Sequence, residues 1–102
     1  LDEYCGKHAR LPRAILCETA RMGFCLLRYA ARMGIRVPSE LAVVAIGSSS
    51  YAELSFPALS TIEGPLYDMG ATGIRMLFDI IEGRSPQTPV VLDWSYMPRE
   101  SS

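Results

Sequence analysis

Hydroxyls and glycines gather at three points where an apolar run ends. Thr19 follows Ala14-Ile15-Leu16-Cys17, Gly47 and Ser48 follow Leu41 to Ile46, and Gly64 follows Leu59 to Ile62. If each run is a buried strand, these points are the carboxyl ends of a parallel sheet, where open α/β folds collect their ligands. Hydroxyls there could bond a polar ligand and glycines could admit it to the backbone. The same residue types also serve as helix caps and turns, so both uses stay open.

Other reactive residues point to less. His8 is the only histidine and lies in a polar segment far from any apolar run. Ser48, Ser49 and Ser50 lack the glycine-flanked pattern of a nucleophile elbow. Gly47 stands without the further glycines that cradle a pyrophosphate. Asp79 and Glu82, three apart, fall together on a solvated helix face and make a poor metal site. Cys5, Cys17 and Cys25 have spacings of no zinc or redox motif, so reduced, mostly buried thiols are expected. No nucleophile, base and orienting group converge. The reading is a chain that is not an enzyme, with no metal and no cofactor.

The elements that position these residues follow from pattern. Thr19 can cap a helix whose apolar stripe would bury Met22, Phe24, Cys25, Leu27 and Ala31, and Gly34 can stop it. Ser50-x-x-Glu53 matches a capping box before a short helix that Pro57 ends. Gly64-Pro65 opens a longer helix from Leu66 to Ile81. Its expected buried side is Leu66, Met69, Gly70, Gly73, Ile74, Leu77, Phe78 and Ile81, with the two glycines admitting another element closely. Val90-Val91-Leu92 starts a last strand expected to run to Tyr96. Trp94 and Tyr96 on one face of it would either fill a core edge or stack a ligand ring. Pro98 to Ser102 reads as a polar end.

The alternation of strand and helix predicts an α/β fold with a parallel sheet. At 102 residues the chain holds one domain at most and about four strands, whose open edges call for further chain or a partner. A net charge of -1 with scattered basic residues gives this segment no nucleic-acid footprint. No apolar run reaches the roughly 20 residues of a membrane span.

Read together, PRAILCETARMGFCLLRYAARMGIRVPSELAVVAIG, FPALSTIEGPLYDMGATGIRMLFDIIEG and the terminal PRESS resemble the C-terminal part of the effector-binding domain of LacI/GalR-type transcription regulators. The resemblance runs over roughly residues 12 to 101. It implies a parallel-sheet α/β fragment of a two-lobed periplasmic-binding-protein-like domain. Residues 14–62 would then be a unit of the C-terminal lobe, 63–89 a helix and loop of the N-terminal lobe, and 90–102 the returning strand and tail.

The resemblance also implies a ligand site at Thr19, Gly47, Ser48, Gly64 and Leu66, and there the chain departs from its pattern. Such proteins commonly carry Asn-Asp where Thr19-Ala20 stands, and paired aspartates where Gly47-Ser48 stands. Glutamine is frequent at the position of Gly64. Carboxylates and amides of that kind bond sugar hydroxyls, so ordinary sugar affinity is not expected. The dimer contact implied is Phe24, Leu27, Ser55 and Phe56, although Phe24 and Leu27 suit an intramolecular core equally well. The expected partners are therefore a small-molecule effector, a second copy of the chain, and DNA only through a region outside these residues. The expected location is the cytoplasm. Some AraC/XylR-type regulators contain a similar domain in another order, and a periplasmic solute-binding protein of an ABC transporter is the alternative with the same fold.

Overall fold

The computed structural model describes residues 6, 10–47 and 50–102. His8, Cys5, Ser48 and Ser49 lie outside them. Two compact units emerge, Leu1–Glu63 with Tyr96–Ser102, and Gly64–Ser95.

In the first unit, β1 (Ala14–Cys17), β2 (Ala42–Ile46), β3 (Ser60–Glu63) and β4 (Ser95–Met97) line up in that order in one sheet, β4 reaching back across the unit boundary by its first residue. β1 runs parallel to β2 with Ala14 opposite Ala42 and Cys17 opposite Ala45. β2 runs parallel to β3 with Val44 opposite Ser60 and Ile46 opposite Ile62. This register brings Cys17, Ile46 and Ile62 to one end of the sheet, directly before Thr19, Gly47 and Gly64. Alternate residues of β2 differ sharply. Leu41, Val43 and Ala45 are fully buried, whereas Ala42, Val44 and Ile46 are half-buried, so one face of the sheet carries the tight core.

Helix α1 (Ala20–Arg32) covers that face. Thr19 accepts a hydrogen bond from the Met22 amide at 3.2 Å through Oγ1, the expected N-cap. Gly34, at φ +72°, turns the chain out of the helix in a conformation that suits glycine. The buried stripe is Ala20, Gly23, Leu27 and Ala30, so of the residues expected in the core only Leu27 is buried. Met22, Phe24, Cys25 and Ala31 are exposed. Size decides this: a Cβ on Gly23 would stand 2.9 Å from Leu59 Cδ2 and 3.1 Å from Ala45 Cβ, so small residues let the helix sit close to the sheet. Cys17 is a free thiol in this core, and burial pushes its pKa up, whereas Cys25 is free and exposed rather than buried.

The C-terminus is not merely a polar end. Ser101 is fully buried; its Oγ donates to the Val43 carbonyl at 2.5 Å and accepts from the Ser60 amide at 2.8 Å. Its own carbonyl accepts from the Val43 amide at 2.8 Å. Arg99 donates to the Leu59 carbonyl at 2.9 Å, to Thr61 Oγ1 at 2.8 Å and to Glu63 Oε2 at 3.2 Å, and Glu63 also accepts from Thr61 at 2.6 Å. Glu100 Oε1 accepts from the Ala58 amide at 2.9 Å. The tail thus supplies partners to backbone groups of β2, β3 and the approach to β3, of which the Val43 carbonyl and the Ser60 amide are buried.

Helix α2 (Ser50–Leu54) begins at Ser50, which is therefore inside the first turn and not the cap that the Ser50-x-x-Glu53 pattern predicts. The Glu53 carboxylate lies 3.9 Å from the Arg99 guanidinium.

The second unit contains α3 (Leu66–Ile81), which ends at Gly83 with φ +80°. None of its residues is buried: Leu66, Ile74, Leu77, Phe78 and Ile81 are all exposed, against expectation. Gly70 and Gly73 likewise have nothing within 4 Å of an added Cβ. The apolar pattern of α3 is real, and nothing within its own unit buries it. The strand expected from Val90 is also shorter, since residues 84–94 take no regular structure and β4 starts at Ser95. Trp94 and Tyr96 consequently part: Trp94 packs on Gly64, and the Tyr96 hydroxyl pairs with Ser102 Oγ at 2.5 Å.

Candidate ligand-binding site

Within the first unit a cleft of about 830 Å³ opens at the carboxyl ends of β1 and β2. Thr19, Ala20 and Arg21 line it from the start of α1, and Ile46 and Gly47 from the end of β2. Phe24 and Tyr51 form an aromatic wall, their ring centroids 6.0 Å apart and their planes tilted by 38°. Cys25 completes the lining. Two of the residues singled out from the sequence, Thr19 and Gly47, are therefore brought together. Ser48 lies outside the described residues, and Gly64 and Leu66 belong to the other unit. Sequence reasoning missed Arg21, Phe24, Cys25 and Tyr51 as lining residues. The available signal was the side of α1 adjoining its cap, which the expected core assignment turned inward.

Two of the three departures from the sugar-site pattern, Gly47 and Gly64, have a local structural reason. Thr19 is committed as an acceptor to the Met22 amide, which leaves its hydroxyl hydrogen for a ligand. Gly47 adopts φ +107°, a conformation that a residue with a side chain rarely takes, so an aspartate is strained there before any ligand arrives. Gly64 has the Trp94 ring where its side chain would be: an added Cβ would lie 2.8 Å from Trp94 Cε2. A glutamine at Gly64 requires that indole to move.

Charge in the cleft is sparse. Among the described lining residues, Arg21 is the one charged group, it makes no hydrogen bond or ion pair with another described residue, and no carboxylate joins it. Among the described residues no group of three or more His, Cys, Asp or Glu side chains is placed to hold a metal ion.

A second, smaller cleft of about 240 Å³ is lined by Phe24, Leu27, Arg28, Ala31, Ser55 and Phe56. All four residues expected at a dimer contact line it. Phe56 is 91% exposed and Phe24 partly so, while Leu27 and Ser55 are buried within the unit. Ser55 Oγ is occupied with the Ala52 and Pro57 carbonyls and the Leu59 amide, each at 3.1 Å. Apolar surface on offer to another molecule at this point comes from the two phenylalanines. Among the described residues no helix is long and apolar enough to cross a membrane.

Comparison with known proteins gives a consistent set of relatives. Residues 2–102 match the family described as periplasmic binding protein-like domain. Catabolite control protein A of Staphylococcus aureus is 34% identical over 82 residues, which is 80% of this chain and 25% of that protein. The HTH-type transcriptional regulator RegA of Clostridium acetobutylicum is 34% identical over 89 residues, 86% of this chain and 27% of that protein. The chain thus spans about a quarter of the length of the curated relatives it matches. Among solved structures, the transcriptional regulator CelR in complex with cellobiose superposes with a TM-score of 0.88 at 30% identity, over 99% of this chain and 31% of that one. CcpA of Lactococcus lactis shares the fold with a TM-score of 0.81 at 24% identity, over 88% of this chain and 34% of that one. On its sequence, its parallel sheet and these matches, the chain belongs to the periplasmic binding protein-like domain family.

Proposed function

We propose that the chain is part of the ligand-sensing and dimerising region of a bacterial LacI-type transcription regulator that works in the cytoplasm and is not itself an enzyme. The observation that carries this is the cleft at the carboxyl ends of β1 and β2, in a chain that superposes over 99% of its length on a regulator solved with cellobiose. In such a cleft a ligand acts by binding one arrangement of the protein more tightly than another, and its effect on DNA is bounded by that difference. Residues 14–62 serve in this reading as a unit of one lobe, 63–89 as helix and loop of the other, and 90–102 as the returning strand and tail. The exposed apolar side of α3 supports the assignment of 63–89, because a helix of that pattern normally covers a sheet. DNA contact belongs to a region outside these residues.

Thermal melting of the protein against sugars, nucleosides, phosphorylated metabolites and organic acids tests the sensing role. A ligand present at 100 times its dissociation constant adds about 2.7 kcal/mol to stability and raises the melting temperature accordingly. A panel without any shift would rule the sensing role out.

The proposed dimer contact centres on Phe24 and Phe56, the exposed members of the smaller cleft. Phe24→Glu places a charge among apolar groups there and should weaken self-association by at least tenfold. Sedimentation velocity over a concentration series measures this, and an unchanged dissociation constant would remove Phe24 from the interface.

A further inference from the structure

We propose that the larger cleft is built for a small aromatic carboxylate and not for a neutral sugar, an inference that rests on reading the chain as a ligand-sensing region. Sugar recognition needs side-chain acceptors for hydroxyl donors. This cleft has no carboxylate among its described lining residues, and the conformation of Gly47 disfavours one. What it offers is the complementary set. Arg21 is a cation without a partner among the described residues, and guanidinium groups bond carboxylates through two parallel N–H donors.

Thr19 adds a hydroxyl whose oxygen already accepts from the Met22 amide, so its remaining capacity toward a ligand includes donation. Both polar side chains stand at the start of the 13-residue helix α1, whose positive end favours an anion over a neutral group. Opposite in character, Phe24 and Tyr51 supply aromatic surface to the lining, and Ile46 and Ala20 supply aliphatic surface. A planar ligand ring packs favourably against aromatic side chains. One end of the ligand is thereby specified as planar and apolar and the other as anionic. The cleft's volume of about 830 Å³ lies in the usual range for small-molecule sites, so a bicyclic ring with a short acid arm is well within it.

The matched probes are indole-3-acetate and its neutral isostere indole-3-acetamide, with cellobiose as the sugar. Titrated into the isotopically labelled 102-residue chain and followed by amide resonances, the acid should perturb Thr19, Gly47 and Tyr51. The amide should bind about tenfold more weakly, the usual worth of a charge-assisted bond. Arg21→Gln should abolish that preference for the acid, and Arg21→Lys should keep part of it. Arg21 is exposed and not part of the core, so neither variant threatens folding. Equal binding of acid and amide, or an acid preference that survives Arg21→Gln, would overturn the proposal. Cellobiose perturbing the cleft while the acid does not would overturn it too, yet leave the sensing role standing. Should neither these probes nor the wider melting panel give any response, both readings fall together.

Discussion

Arg99→Leu is expected to lower the stability of the first unit by about 3 kcal/mol, near the lower end of the range for removing one member of a charge-assisted network that is mostly shielded from water. The guanidinium bonds the Leu59 carbonyl, Thr61 Oγ1 and Glu63 Oε2 from a site where its side chain is only 17% exposed. Leucine fills part of the volume and supplies none of the donors. Glu63, itself 23% exposed, loses the guanidinium at 3.2 Å and keeps the Thr61 hydroxyl. For a domain of this size 3 kcal/mol corresponds to a fall of roughly 15 °C in melting temperature. Arg99→Lys should recover less than half of it, because an ammonium cannot reproduce the fork that reaches a carbonyl, a hydroxyl and a carboxylate together. A melting curve of Arg99→Leu within two or three degrees of the parent would show that the tail is an ornament of the sheet, contrary to this expectation.

The second large effect is expected at Leu59, which is fully buried against α1. Leu59→Ala should cost about 3 kcal/mol through lost transfer energy and the cavity left beneath the helix. Its coupling to Gly23 makes the prediction sharper. With Leu59 intact, a methyl on Gly23 meets Leu59 Cδ2 at 2.9 Å and Ala45 Cβ at 3.1 Å, so crowding offsets the gain in helix propensity. Once Leu59 is alanine the methyl has room. Gly23→Ala should then restore about 1 kcal/mol, and the two substitutions should be non-additive in a denaturation cycle. Additivity would mean that helix and sheet do not touch at this point in solution.

What the sequence disclosed and what it concealed divide along a physical line. Thr19 as a cap and Gly34 as a helix stop were legible because each is a bargain struck within one turn of chain. The buried side of α1 was legible only at Leu27, since hydrophobicity also points to Met22, Phe24 and Cys25, whereas the rest of the buried stripe is the small residues Ala20, Gly23 and Ala30. Polarity was equally misleading for Arg99 and Ser101. Their partners lie 36 to 58 residues away in the chain, and such partners leave no periodic trace. In α3 the pattern was read correctly as amphipathic, but a pattern cannot state whether its covering surface is at hand. For the candidate site, Thr19 and Gly47 were found from their place at strand ends, a rule about topology. Arg21 and Tyr51 were missed because membership of a cleft depends on how α1 and α2 are rotated about their axes.

Thr19 stands in two roles at once, in the cleft wall and as the residue that opens α1. Threonine, serine, asparagine and aspartate are nearly interchangeable in the second role, differing as caps by roughly a few tenths of a kcal/mol. In the first role they differ completely, as neutral donor, mixed donor and acceptor, or anion. A single-codon change at this position can therefore rewrite what the cleft recognises while the fold registers almost nothing. Evolvability of the ligand choice is in this sense a property of helix capping.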